Sequence, residues 1–207
     1  MNFYTINGSP NSRKVHAVLN YLGIDATINA LDIFAGELDT PEVQALNPNG
    51  MIPILEDGNF ILWESNAIMQ YLADSVAESD FYPRDPRQRA DIHRWQCWEL
   101  AHFNRATSTI LFEKMLKPML KIGEPDEAKI TEATANFHQY AKVLDAHLAD
   151  KNFMLGDKLT IADFSVAAFS GYFADAGIPV GNYPNLITWL ERLDNIPAWA
   201  DTPSLAA

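Results

Sequence analysis

The chain of 207 residues is 48% hydrophobic and 11% aromatic, which is ample for a sizeable core in one or two domains. Its net charge of −12 would repel phosphate backbones and anionic lipid surfaces, so we expect neither a nucleic acid nor a membrane as a partner. The single cysteine, Cys97, leaves no partner for an intramolecular disulfide, and the scattered histidines show no ligand spacing, so we predict no metal. No leader-like start or membrane-length apolar run is present, which predicts a cytoplasmic protein.

The first third of the chain alternates strand and helix signals. These are a strand over residues 2–6, a helix over 12–22, a strand over 27–33, a short helix near Pro41, two strands over 52–62 and a helix over 67–72 capped by a serine. The two adjacent strands are predicted to join through the hairpin turn Asp57-Gly58. This order predicts a small α/β domain, residues 1–78.

The rest of the chain is predicted to be helical. A polar, proline-containing linker over 77–87 precedes amphipathic patterns over 92–116, 130–148 and 184–193, and no strand is indicated. Between them, Thr160 and Asp163 form a capping box that begins an apolar helix running through Phe169. Loss of this cap should cost about 0.5 to 2 kcal/mol. We therefore predict an all-α helical bundle over residues 86–207.

Three segments, in this order and spacing, resemble the glutathione S-transferase superfamily: GSPNSRKV (residues 8–15), NPNGMIPIL (47–55) and WESNAI (63–68). The stretch 156–168 is similar to the buried-helix signature of the same family, and the match is nearest to its bacterial and plant serine-type branches. The resemblance implies a thioredoxin-like N-terminal domain that binds glutathione. It also implies a helical domain that binds a small apolar electrophile, and a homodimer.

The turn before the first helix is where the resemblance places thiol activation. Thioredoxins carry two cysteines there, whereas this chain has Ser9-Pro10-Asn11-Ser12, so the thiol must come from the ligand. A hydroxyl that donates to the glutathione sulfur would favour the thiolate. The resemblance makes Ser12 the first candidate, with Ser9 second and Asn11 supporting. By themselves these residues are more typical of a turn and a helix cap than of thiol activation.

The other two segments are expected to hold glutathione. The resemblance implies a cis bond between Ile52 and Pro53, which turns the Ile52 backbone toward the cysteinyl residue of glutathione; an ordinary trans proline at a strand start is the alternative. Glu64 and Ser65 are assigned to the γ-glutamyl group, although alone they would be only a helix cap. Met51 stands where relatives often have Lys or Gln, and its side chain can donate no hydrogen bond.

Five side chains of the long helix are predicted to face the electrophile. They are Phe103, Asn104, Thr107, Phe112 and Met115, although residues at helical spacing are also typical of a core. Cys97 is predicted to be buried. The leading function is conjugation of glutathione to an electrophile. Glutathione-dependent peroxide reduction, dehalogenation, or a non-catalytic binding or dimerisation module remain alternatives.

Overall fold

A four-stranded mixed sheet forms the first part of the molecule in a computed structural model that describes residues 1–202. The strands are β1 (Asn2–Thr5), β2 (Thr27–Ala30), β3 (Ile54–Asp57) and β4 (Phe60–Trp63), in the order β2-β1-β3-β4. β1 pairs with β2 in parallel, while β3 is antiparallel to both β1 and β4. The hairpin turn is Gly58-Asn59 rather than the predicted Asp57-Gly58, because Asp57 still pairs with Phe60 in the ladder.

Three helices accompany the sheet: α1 (Pro10–Leu22), α2 (Pro41–Leu46) and α3 (Ser65–Asp74). α1 begins two residues earlier than predicted, because Ser9 is its N-cap and Pro10 occupies the first helical position. The predicted serine cap of α3 is wrong. Glu64 is the N-cap residue, its side chain makes no capping bond, and Ser65 is already helical.

All helices from residue 86 onward belong to the second part. They are α4 (Pro86–Trp98), α5 (Asn104–Leu111), α6 (Lys117–Met119), α7 (Glu127–Leu148), α8 (Ile161–Val166), α9 (Pro184–Asp194) and α10 (Pro197–Ala200). Two π-helical segments, Glu99–Phe103 and Phe112–Leu116, join α4, α5 and α6 into one helical run. The buried helix α8 ends at Val166, three residues before the predicted end, and a 3₁₀ turn follows at Ser170–Tyr172.

The core is continuous across the two parts. α1 packs against α3, α8 and α10, and Trp189 and Trp199 are almost fully buried. The guanidinium of Arg13 on α1 lies 4.0 Å from the ring centroid of Trp199. The predicted fold class, an α/β part followed by an all-α part, is confirmed, while the domain boundaries at 78 and 86 stay predictions.

The capping box of α8 is confirmed, and it is more extensive than the sequence indicates. The fully buried carboxylate of Asp163 accepts from the backbone N–H of Thr160 at 2.9 Å and from that of Met154 at 2.8 Å. It also accepts from the Thr160 hydroxyl and from Nε1 of Trp189, at 3.0 and 2.9 Å. Burial nevertheless raises the pKa of Asp163 to about 6, although these hydrogen bonds oppose the change.

One burial prediction is wrong: Cys97 is exposed on α4. Its neighbours on the helix, Trp95 and Gln96, are the residues that turn inward. Within residues 1–202, no helix is both long and apolar enough to cross a bilayer.

Candidate active site

The end of β1, the start of β3 and the end of β4 lie side by side in the sheet. Tyr4, next to the end of β1, pairs with Ile54 at the start of β3, and Ile54 also pairs with Trp63 at the end of β4. The chain segments that continue from these ends are the turn over residues 6–9, the Ile52-Pro53 pair and the Glu64-Ser65 pair. The sheet register therefore brings together the three segments that the sequence assigned to glutathione.

Ser9 lies in the turn between β1 and α1. Its Oγ accepts a hydrogen bond from the backbone N–H of Ser12 at 3.3 Å, which caps the helix and leaves the hydroxyl proton available for another acceptor. Gly8 provides the positive φ of 79° that the turn requires, and the Tyr172 hydroxyl of the helical part donates to its carbonyl. Ser9 is thus fixed by both parts of the molecule.

Ser12 and Asn11 are placed differently from Ser9. Ser12 is only 2% exposed, and its Oγ has no hydrogen-bond partner among the described residues. Together with Ser9, Arg13 and His16 it lines a small cavity of about 40 Å³. Asn11 is half-buried, and its Oδ1 also lacks a partner within residues 1–202. The small cavity that Ser12 lines is far too small for glutathione.

The predicted cis bond between Ile52 and Pro53 is confirmed. The antiparallel ladder between β1 and β3 ends at Ile54, so the backbone of Ile52 lies beyond the last paired residues. The preceding loop is held by Asn47, whose Nδ2 donates to the carbonyl of Met51 at 2.7 Å. Met51 itself is 67% exposed. Asn47, to which sequence reasoning assigned no role of its own, is buried and holds this loop.

Glu64 has a φ of 73°, which is rare for a residue other than glycine. Such backbone strain persists where the surrounding structure imposes it, and it is concentrated at functional sites. Glu64 is exposed, whereas Ser65 is buried at the first turn of α3, where backbone N–H groups and the helix dipole favour an anion.

A cavity of about 590 Å³ opens beside the turn that carries Ser9. It is lined by residues 6–10, 30–34, 38 and 50–52 of the first part, together with Leu111, Leu116 and Met119 of the helical part. Ser9, Met51 and Ile52 therefore share this space, whereas Ser12, Glu64 and Ser65 do not line it. Most of the lining is apolar, which suits a second, hydrophobic reactant.

The five side chains predicted to face the electrophile do not line this cavity. Phe103 and Thr107 are fully packed in the core, and Thr107 donates to the carbonyls of Phe103 and Asn104. Asn104 is buried and donates to Glu99, and Met115 packs against the core. Phe112 lines an adjoining cavity that shares Pro10, Leu111 and Leu116 with the larger one. The helical run instead reaches the cavity through Leu111, Leu116 and Met119, each of which lies about one helical turn beyond one of the predicted residues.

A buried ion pair beneath the site was missed by sequence reasoning. Nζ of Lys14 on α1 lies 3.5 Å from Oε2 of Glu99, and both side chains are at most 1% exposed. Glu99 also accepts from Asn66, next to Ser65, at 3.3 Å and from Ser165 of α8 at 3.4 Å. Burial lowers the pKa of Lys14, and the neighbouring Glu99 opposes this change. The pair joins residues 85 apart in the chain, so no local pattern could reveal it.

No group of three or more His, Cys, Asp or Glu side chains within residues 1–202 is arranged to hold a metal ion. The site offers hydroxyl groups, backbone groups and the N-termini of two helices, α1 and α3. Such groups can stabilise an anion such as a thiolate or a carboxylate.

Comparisons with known proteins agree with this arrangement. A family model described as "Glutathione S-transferase, N-terminal domain" matches residues 8–75, and one described as "Glutathione S-transferase, C-terminal domain" matches residues 127–200. Glutathione S-transferase 3 of Zea mays is 34% identical over 211 residues, with 98% of this chain and 92% of the relative covered.

Solved structures give the same result. Glutathione transferase F7 of Populus trichocarpa superposes with a TM-score of 0.89 at 26% identity, covering 97% of this chain and 96% of that chain. The theta class enzyme of Xanthomonas axonopodis pv. citri, solved with glutathione bound, gives a TM-score of 0.86 at 30% identity, covering 98% and 96%. The resemblance inferred from the sequence is thus confirmed, and the chain belongs to the glutathione S-transferase superfamily.

Proposed function

We propose that this protein is a glutathione transferase that detoxifies small apolar electrophiles. The glutathione thiol loses its proton to solvent, and the thiolate attacks an electrophilic carbon. A carbon–sulfur bond forms while the bond to a leaving group such as halide breaks. With an unsaturated carbonyl compound, the electron pair instead moves to the oxygen, and a proton from water completes the product.

The observation that carries the proposal is the position of Ser9 at the N-terminus of α1, where it lines the large cavity together with Ile52. Its hydroxyl has a proton to donate to the bound sulfur. A hydrogen bond to a charged group contributes about 1.5 to 3 kcal/mol, which lowers the thiol pKa by about one to two units. We therefore propose Ser9, rather than Ser12, as the activating residue, because Ser9 lines the large cavity whereas Ser12 is buried and does not.

The tripeptide itself is proposed to lie across the neighbouring ends of β1, β3 and β4. The Ile52 backbone, beyond the last ladder pair, is suited to bond the cysteinyl residue as an added strand. Ser65 and its N–H at the start of α3 suit the γ-glutamyl carboxylate, and Glu64 suits the ammonium group. Met51 offers only apolar contact to the remaining, glycyl part.

Turnover of a panel of electrophiles with glutathione tests the function. We expect conjugates with at least one aryl halide, benzylic halide or unsaturated ketone, identified by the mass of the thioether and faster than the reaction without protein. A hydroperoxide in the same panel tests the peroxidase alternative, which would give oxidised glutathione. Calorimetric titration with glutathione supplies the binding constant. Glutathione binding without turnover of any compound would contradict the proposal and favour a binding module.

We further propose that the protein forms a homodimer through β4. This strand is one edge of the sheet, and it exposes Phe60, Ile61 and Trp63 to the extent of 45, 39 and 38%. An edge strand with large exposed apolar side chains is typical of a contact surface.

Sedimentation should therefore show a dimer at micromolar concentration, and the change Ile61→Glu should weaken it by at least about tenfold, since a charge buried in a contact is costly. Ile28→Glu, on the opposite edge strand, is the matched control because Ile28 is similarly exposed, at 41%. A monomeric parent protein, or equal weakening by both changes, would refute this assignment.

A further inference from the structure

The residues that line the large cavity carry one negative charge and no positive charge. Asp32 is the only charged side chain among its lining residues, and no Lys, Arg or His of the described chain lines it. The protein as a whole also carries a net charge of −12. An anionic group that enters the cavity therefore finds no counter-charge on its walls.

Asp32 is held in place by its own turn. Its Oδ1 accepts from the backbone N–H groups of Phe34 and Ala35 at 2.8 and 3.3 Å. Its own N–H donates to Oε2 of Glu37 at 2.7 Å, so a second carboxylate lies at the same turn. Only Oδ1 of Asp32 is used in this turn, which leaves Oδ2 to act on whatever occupies the cavity.

Lys117 and Lys129 are paired with carboxylates near the helical wall, whereas Lys114 and Lys121, which are close to it in sequence, are exposed and do not line the cavity. Lys117, next to Leu116, donates to Glu113 at 2.8 Å. Lys129 approaches the same buried carboxylate at 3.8 Å and Asp126 at 3.7 Å. These lysines are therefore engaged with carboxylates rather than directed to a ligand.

We propose that Asp32 makes this site select its second substrate by charge, accepting neutral and cationic electrophiles and rejecting those that carry a carboxylate. The inference rests on the proposed function, because it concerns the electrophile that the glutathione thiolate attacks. The effect is electrostatic and acts in a cavity open to solvent, so it should decrease as ionic strength rises.

Three benzylic chlorides of similar size test the inference. Their para substituents are methyl, carboxylate and trimethylammonium, and each kcat/KM is divided by the rate constant of the uncatalysed reaction with glutathione. In the parent protein we expect the corrected values to follow the order cationic, neutral, anionic.

The change Asp32→Asn removes the charge but keeps an oxygen that can accept from Phe34 and Ala35. It should raise the anionic-to-neutral ratio by about 3- to 10-fold and lower the cationic-to-neutral ratio similarly, since one unit charge at close range in a solvated site has an effect of this order. Asp25→Asn is the matched control, because Asp25 is exposed, lies outside the cavity lining and changes the net charge equally.

Equal corrected values for the three chlorides in the parent protein would overturn the inference, as would equal changes in the ratios with Asp32→Asn and Asp25→Asn. Either result would leave the proposed function intact, because conjugates would still form. Absence of all three conjugates, with no other electrophile turned over, would instead refute the proposed function. Thermal unfolding of each variant confirms that the rates compare folded proteins.

Discussion

Alanine in place of Ser9 is expected to lower kcat/KM at neutral pH by about 10- to 150-fold while glutathione still binds, because a charge-assisted hydrogen bond of about 1.5 to 3 kcal/mol is lost. The tripeptide would keep its contacts with Ile52 and Ser65, and only the sulfur would lose its donor. Much of the rate should return at alkaline pH, where the thiol ionises without assistance. The measurement is the pH dependence of kcat/KM for one electrophile.

Ser12→Ala is the matched comparison, since it removes a hydroxyl from the first turn of α1, and this hydroxyl has no partner within the described chain. It should leave the pH profile unchanged. Ser9→Thr, which keeps a hydroxyl, should restore part of the rate. An alkaline shift with Ser12→Ala and none with Ser9→Ala would return the activating role to Ser12. A Ser9→Ala protein that is slow at every pH would indicate lost binding instead.

Asp163→Ala is expected to destabilise the protein by about 3 to 5 kcal/mol, more than the loss of an ordinary cap, because each buried donor left without an acceptor costs about 1 to 3 kcal/mol. The N–H groups of Met154 and Thr160 and the indole of Trp189 would all lose their acceptor. Denaturant unfolding measures the change. A loss below about 2 kcal/mol would show that water or local repacking replaces these bonds.

The pKa of Asp163 gives this variant a second readout. Since its folded value of about 6 lies above the ordinary value of a free aspartate, the folded state binds the proton more tightly. This contribution to stability is complete below about pH 4 and is lost as the pH rises through about 6. Asp163→Asn cannot titrate, so it should lack this part of the pH dependence of unfolding. An identical slope in the parent and Asp163→Asn would contradict the assignment.

Much of this architecture follows from local sequence signals. The capping box at Thr160 and Asp163 and the class of each domain depend on residues that are neighbours in the chain, and these predictions were confirmed. The hairpin turn was misplaced by one residue, because the strand register depends on which pairs the ladder closes rather than on turn composition.

The cavity lining was harder to predict because it depends on the rotation of a helix. Two π-helical segments in the long helical run each add a residue per turn, so a face extrapolated at 3.6 residues per turn drifts away from the true one. Thr107 consequently lies in the core, while Leu116 and Met119 reach the cavity. Whether Ser9 or Ser12 lies at the N-terminus of α1 likewise depends on where the helix begins, which differed from the prediction by two residues.

The contact between Lys14 and Glu99 also limits how this protein can recombine with its relatives. A buried charge that loses its partner typically destabilises a fold by about 3 to 5 kcal/mol, a large part of the stability of an average domain. A crossover between residues 78 and 86 would separate the gene segment for Lys14 from that for Glu99. Viable chimeras should therefore be those whose new helical half supplies a carboxylate at the same place, so that the two halves evolve as one inherited unit.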